Sequence, residues 1–209
     1  MKNLPLKTLL APALLLAVAC EDIPTAPISE IFEADQAVAV GELPSFQLTT
    51  ESGKSALLWT NPLSQDISVA EFVSKRGGTV RAAPGIDLVI PENAVSKRTE
   101  ISVLSRAGED VAFEFGPHGL QFNSPVTVRI NVDALVNGAE IRETAGVSAP
   151  SWSGMVAYSK VPVGSITAIY YTHQNGEVVE VIEEFPVYLE YGMYLTFETD
   201  HFSGYALAA

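Results

Sequence analysis

The sequence predicts an all-β fold, an antiparallel β-sandwich over residues 56–209. Three observations predict it. Apolar and polar side chains alternate with a period of two from about residue 56 onward. Turn-forming residues interrupt that alternation about every eight to twelve positions. No stretch sustains the 3.6-residue apolar period of an amphipathic helix. With 47% apolar and 18% charged side chains, a chain of this length can bury a core without disulfides.

The clearest strand is 126–133. Val126, Val128, Ile130 and Val132 alternate with Thr127, Arg129, Asn131 and Asp133, so one face is buried and the other wet. Ile101 and Val103 alternate with Glu100 and Ser102, and Phe113 and Phe115 bracket Glu114, each reading as a half-buried strand. Residues 132–135 can add one short helical turn. Asn175-Gly176 lies between two strand-like runs, 165–173 and 177–184, and a two-residue turn of that kind matches the twist of a hairpin. The register that follows sets Thr172 against Val179 and Tyr170 against Val181. Gly77-Gly78, Pro84-Gly85, Gly116-Pro117, Asn137-Gly138 and Tyr191-Gly192 mark further turns. Antiparallel strands joined by short connections favour a sandwich over a barrel enzyme.

The amino terminus has a different character. Lys2 and Lys7 precede an apolar run at 9–18 that ends in small residues, the order of a secretory signal over 1–19. The run is shorter than the roughly 20 apolar residues a bilayer core demands. Residues 20–55 hold Pro24, Pro27 and Pro44, several acids and scattered apolar side chains, and read as an acidic linker. Leu16-Ala17-Val18-Ala19-Cys20 resembles the lipobox of bacterial lipoproteins, with Ala17 where that family usually has leucine. The resemblance implies that Cys20, the sole cysteine, is acylated, and several acyl chains give a lasting membrane tether. The chain is then an exported, membrane-anchored lipoprotein of the bacterial cell envelope, outer membrane or periplasmic face.

Charge excludes one class of partner. The formal charge is −13, and setting aside 1–19 removes two more cations and no acid. Such a chain repels phosphate backbones, which excludes nucleic acid binding through basic patches.

Gly77-Gly78-Thr79-Val80, Leu88-Val89-Ile90-Pro91-Glu92-Asn93-Ala94-Val95, Phe115-Gly116-Pro117-His118-Gly119-Leu120-Gln121-Phe122 with Pro125-Val126, and His201-Phe202-Ser203-Gly204-Tyr205-Ala206 together resemble the ZU-five domain. That module occurs in ankyrins and netrin receptors. The resemblance covers about 70–132 and the carboxyl end, and it implies a β-sandwich that works as a protein-interaction module. Read physically, the same residues are scaffold: glycines admit positive φ, and Pro91 ends a strand because it has no N–H for the ladder.

His201-Phe202-Ser203 is the one tripeptide that supports a catalytic hypothesis. In self-cleaving relatives of the module, the Phe-Ser bond of such a sequence is broken by the serine hydroxyl. Here Ser203 would attack the preceding carbonyl with His201 as general base, the two sharing one face of a strand while Phe202 anchors on the other. The structural reading of the same residues is a pairing histidine, a small serine at a tight contact, and Gly204 easing a bend.

Other constellations carry less. His118, His173 and His201 are scattered, so no metal or other cofactor is expected. Glu183 and Glu184 point to opposite faces of a strand and read as solvated edge charge. Ser52-Gly53-Lys54-Ser55 lacks the first glycine of a phosphate-binding loop. Trp152, Tyr158, Tyr170, Tyr171, Tyr188, Tyr191 and Tyr194 are divided between core and an exposed binding patch in a way the sequence leaves open. The expectation is a non-enzymatic envelope module that binds a protein or a polysaccharide, with self-cleavage at Phe202-Ser203 as the alternative.

Overall fold

The computed structural model describes residues 53–147, 160–174 and 177–209, with side chains from 172 to 181 outside the description. The described strands are β1 (Leu58–Leu63), β2 (Ile67–Val73), β3 (Gly78–Ala82), β4 (Ile86–Ile90), β5 (Thr99–Ser105), β6 (Gly108–Asp110), β7 (Ala112–Gly116) and β8 (Gln121–Asn131). A 3-10 turn (Val132–Ala134) and a short helix α1 (Gly138–Thr144) follow, then β9 (Lys160–Gln174), β10 (Glu177–Glu190), β11 (Tyr194–His201) and β12 (Gly204–Ala208).

Ten strands form one antiparallel sheet in the order β2-β5-β7-β12-β9-β10-β11-β8-β4-β3, and β1 pairs with β6 beside it. The all-β expectation holds. The sheet nearly closes: its two edge strands, β2 and β3, meet through a bridge between Ser74 and Gly77. Opposite stretches of the same sheet face each other across the core. Phe113 of β7 stacks 6.4 Å from Phe197 of β11, and Phe185 of β10 lies 6.1 Å from Tyr205 of β12. One continuous sheet thus supplies both layers of the sandwich. Irregular pairing in the long strands β9 and β10 accompanies this, because each bulge adds local twist and bend.

Those bulges correct the predicted hairpin register. The Asn175-Gly176 turn lies outside the described residues, and the first rungs, Gln174 with Glu177 and His173 with Val178, follow the predicted spacing. The pairing then slips, so that Thr172 faces Glu180 rather than Val179 and Tyr170 faces Glu183 rather than Val181. Each inserted residue shifts every later pair by one.

The alternation itself reads true. Val126, Val128, Ile130, Ile101 and Val103 are fully buried, and the expected helical turn forms at 132–134, with the Asn131 side chain accepting from the Asp133 N–H. Glu114 departs from the pattern. β7 is buried on both faces, since Phe113 and Phe115 fill the main core while Ala112 on the opposite face joins Ile169, Tyr171, Ala206 and Ala208 in a second apolar cluster. Glu114 shares that second face and is itself buried. Asn137-Gly138 also differs from the predicted turn: Asn137 is the N-cap of α1. A Cβ at Gly138 would lie 3.0 Å from the Val132 carbonyl carbon, so the helix packs against the 3-10 turn only with glycine there.

Candidate functional site

β11 ends at His201 and β12 begins at Gly204, so Phe202 and Ser203 form the corner between two strands. His201 and Ser203 therefore do not share the face of a single strand, as the sequence suggests. The corner turns because the Phe202 ring is drawn into the core. It packs 5.2 Å from Phe115 and edge-on at 4.6 Å to Phe122. The backbone is tied down on both sides. The Phe202 N–H donates to the Leu120 carbonyl at 3.1 Å, the Phe202 carbonyl accepts from the Gly119 N–H at 3.3 Å, and the Ser203 carbonyl accepts from the Phe115 N–H at 2.9 Å. Gly119 has φ +74° in the Gly116–Leu120 connection, which is how that N–H comes to point at residue 202.

His201 is half-buried. Its Nδ1 lies 2.9 Å from an Asp200 carboxylate oxygen, and its ring meets Tyr170 edge-to-face at 4.8 Å. An ionised carboxylate only accepts, so Nδ1 carries the proton and Nε2 is the basic atom of the neutral ring. The hydrogen bond from His201 holds the Asp200 carboxyl below the usual range. Beneath the ring, the His201 carbonyl accepts from the Tyr205 hydroxyl at 2.9 Å and the Thr199 hydroxyl at 3.0 Å, and those two hydroxyls lie 2.8 Å apart. Burial pushes the Tyr205 phenol well above its ordinary range, so it remains a neutral donor.

The corner can polarise one peptide bond, since the Gly119 N–H sits on the carbonyl that Ser203 would attack. Among the described residues, however, no hydrogen bond joins the His201 ring to the Ser203 hydroxyl. The left-handed non-glycine residues described are Asn93 and Tyr191, and neither belongs to the corner. No residue from 201 to 204 has a left-handed backbone and no cis peptide bond falls there.

Gly204 has a packing role rather than the predicted bending role. It pairs with both Glu114 and Tyr171, and a Cβ there would sit 2.8 Å and 2.9 Å from two Tyr171 ring carbons. Only glycine lets the ring lie flat over β12. Burial, then the nearby Glu114 carboxylate, raise the Tyr171 phenol well above its ordinary range.

The remaining candidates scatter. Cys20 lies outside the described residues, as do Trp152, Tyr158 and the side chain of His173. His118 is exposed, 3.8 Å from Glu114. Glu183 and Glu184 are exposed along the part of β10 that pairs only with β9, and Glu184 meets Lys54 at 3.6 Å. The tyrosines divide: Tyr171 is core, whereas Tyr188 and Tyr194 lie on the outer face, beneath Lys160 at 4.7 Å and Arg129 at 5.9 Å. Among the described residues no three His, Cys, Asp or Glu side chains gather as metal ligands, and no helix is long and apolar enough to cross a membrane. A cleft at the far end of β12, about 240 Å³ and lined by Leu57, Leu58, Leu135, Val136 and Ile141 among others, holds no titratable side chain.

Comparison with models of known protein families and with curated proteins gives no match. The reading of function therefore rests on the residues themselves. Sequence reasoning missed Thr199 and Asp200 and read Gly119 and Tyr205 as scaffold alone; together the four build the corner. The signal for Tyr205 was its spacing, since it lies six residues after Thr199 across a turn and returns to the same core.

Proposed function

We propose that this chain is an exported, lipid-anchored envelope protein whose ZU-five-like β-module recognises a protein or polysaccharide and performs no chemistry on it. The observation that carries the reading is the order of parts: a leader that turns from charged to apolar to small residues, then the single Cys20, then a proline-punctuated acidic segment, then a β-module that starts by residue 55. A thiol placed directly behind a leader, with no second cysteine to pair with, is explained by acylation. Replacing Cys20 by alanine is expected to move the protein from the membrane fraction to the soluble one. Unchanged detergent partitioning overturns the anchor.

The Gly119 N–H on the Phe202 carbonyl favours a second reading, self-cleavage at the corner. The Ser203 hydroxyl oxygen would add to the Phe202 carbonyl carbon and the C–N bond would break, leaving an ester and a free Ser203 amine. Water would then hydrolyse the ester, with His201 as base. On this reading the denatured protein has lost the mass of residues 203–209 and Ser203→Ala restores it. An uncut wild-type chain rejects self-cleavage and leaves the binding role.

A further inference from the structure

Six of the Lys and Arg side chains among the described residues are paired with acids: Lys54, Arg81, Arg106, Arg129, Arg142 and Lys160. The other four are Lys75, Arg76, Lys97 and Arg98. All four are exposed, none makes an ion pair among the described residues, and all lie at one end of the sheet. In a chain with twenty-five acids and twelve Lys and Arg, four free cations at one tip create a local field opposite to that of the rest of the surface.

The tip is rigid. Lys75 and Arg76 are the central residues of the β2–β3 turn, closed by the Gly77 N–H on the Ser74 carbonyl at 3.0 Å. Lys97 and Arg98 end the β4–β5 connection, whose Ala94 and Val95 are buried. The two loops are joined. The Asn93 N–H donates to the Lys75 carbonyl at 2.7 Å, and Gly77, with φ +72°, is pressed against Pro91 so closely that a Cβ would lie 2.8 Å from its carbonyl carbon. The Thr99 hydroxyl braces the Lys97 carbonyl at 3.0 Å. Beside these cations stands Phe72, 59% exposed, with the Arg98 guanidinium 4.3 Å from its ring centroid. Glu71, next to Phe72 in β2, Glu92 in the loop and Glu100, across the ladder from Phe72, are the neighbouring acids.

We infer that this tip binds an acidic polysaccharide, its cations taking carboxylate or phosphate groups and the side of Phe72 away from Arg98 covering a sugar ring. The inference deepens the recognition role proposed above and rests on it. A polysaccharide fits better than a protein because a protein interface needs about 800 Å² per partner around an apolar centre, and among the described residues Phe72 is the only exposed large hydrophobic side chain at this end. It fits better than the tethering membrane because a bilayer would also meet the acids that outnumber the cations over the rest of the chain, whereas a glycan strand meets the tip alone.

The test is capture of the full-length chain by polygalacturonate, with neutral dextran, polyglutamate and phosphatidylglycerol vesicles as comparisons. Polygalacturonate is expected to bind and dextran not, with affinity falling about tenfold between about 50 mM and about 300 mM salt. The quadruple variant Lys75→Glu, Arg76→Glu, Lys97→Glu, Arg98→Glu is expected to lose at least about tenfold, whereas Arg81→Glu, remote from the tip, stays within about twofold. Phe72→Ala is expected to weaken polygalacturonate and leave polyglutamate unchanged. Equal binding by wild type and quadruple variant, tighter binding of polyglutamate or vesicles, or no binding to any probe overturns the inference. Fractionation of Cys20→Ala reads the anchor separately, so either idea can fail without the other.

Discussion

Phe202→Ala is expected to lower the unfolding free energy by about 3–5 kcal/mol, read as a lower denaturant midpoint at unchanged slope. The ring is 2% exposed and wedged between Phe115 of β7 and Phe122 of β8. Phe115 donates a backbone hydrogen bond to the corner, Leu120 just before β8 accepts one from it, and Gln121 of β8 pairs with His201, so the surroundings cannot collapse into the space left behind. A large cavity in a rigid wall is the costly case. Ser203→Ala, one residue along and half-buried, is expected to stay within about 0.5 kcal/mol. A loss under about 1 kcal/mol for Phe202→Ala would show that the corner relaxes freely, and the account of why the chain turns there would fall.

The same corner shows how much of the molecule could be read beforehand. Val126, Val128 and Ile130 declare their strand because a sheet with one wet face imposes a period of two, and that pattern needs no knowledge of neighbours. Glu114 could not be read this way. Its position in the alternation says outward, and only the second cluster around Tyr171 and Ala206, contributed by strands far along the chain, makes outward mean buried. The Tyr170 register failed for a related reason: bulges in β10 follow from how the sheet curls, which the turn at Asn175-Gly176 does not encode. His201 and Ser203 were legible as chemistry-bearing residues but not as the two sides of a corner, because that depends on where the Phe202 ring finds room. The basic tip did leave a trace, two adjacent pairs, Lys75-Arg76 and Lys97-Arg98, in an otherwise acidic chain. What the sequence withheld is that Asn93 and Gly77 bring those pairs together.

Removal of the Arg106 charge is the other large effect. Arg106 joins two acids, its Nη1 lying 2.9 Å from Asp66 and its Nε 3.2 Å from Glu114. Asp66 is partly exposed and water can take over its solvation. Glu114, 8% exposed, is poorly placed for that, with the exposed His118 ring 3.8 Å from it. Arg106→Leu is therefore expected to cost about 3–5 kcal/mol, the range for stranding a buried charge, and not the 1 kcal/mol or less of a surface ion pair. Area alone cannot explain such a loss, since leucine keeps much of the apolar stem. The discriminating variant is the double one. Arg106→Leu with Glu114→Leu removes both charges together, and because desolvation rather than attraction dominates a buried pair, it is expected to recover most of the stability lost by the single change. If the double variant is instead less stable than Arg106→Leu by the full cost of a second independent substitution, the two residues are uncoupled. The buried carboxylate would then owe its place beside the second core to something other than the guanidinium above it.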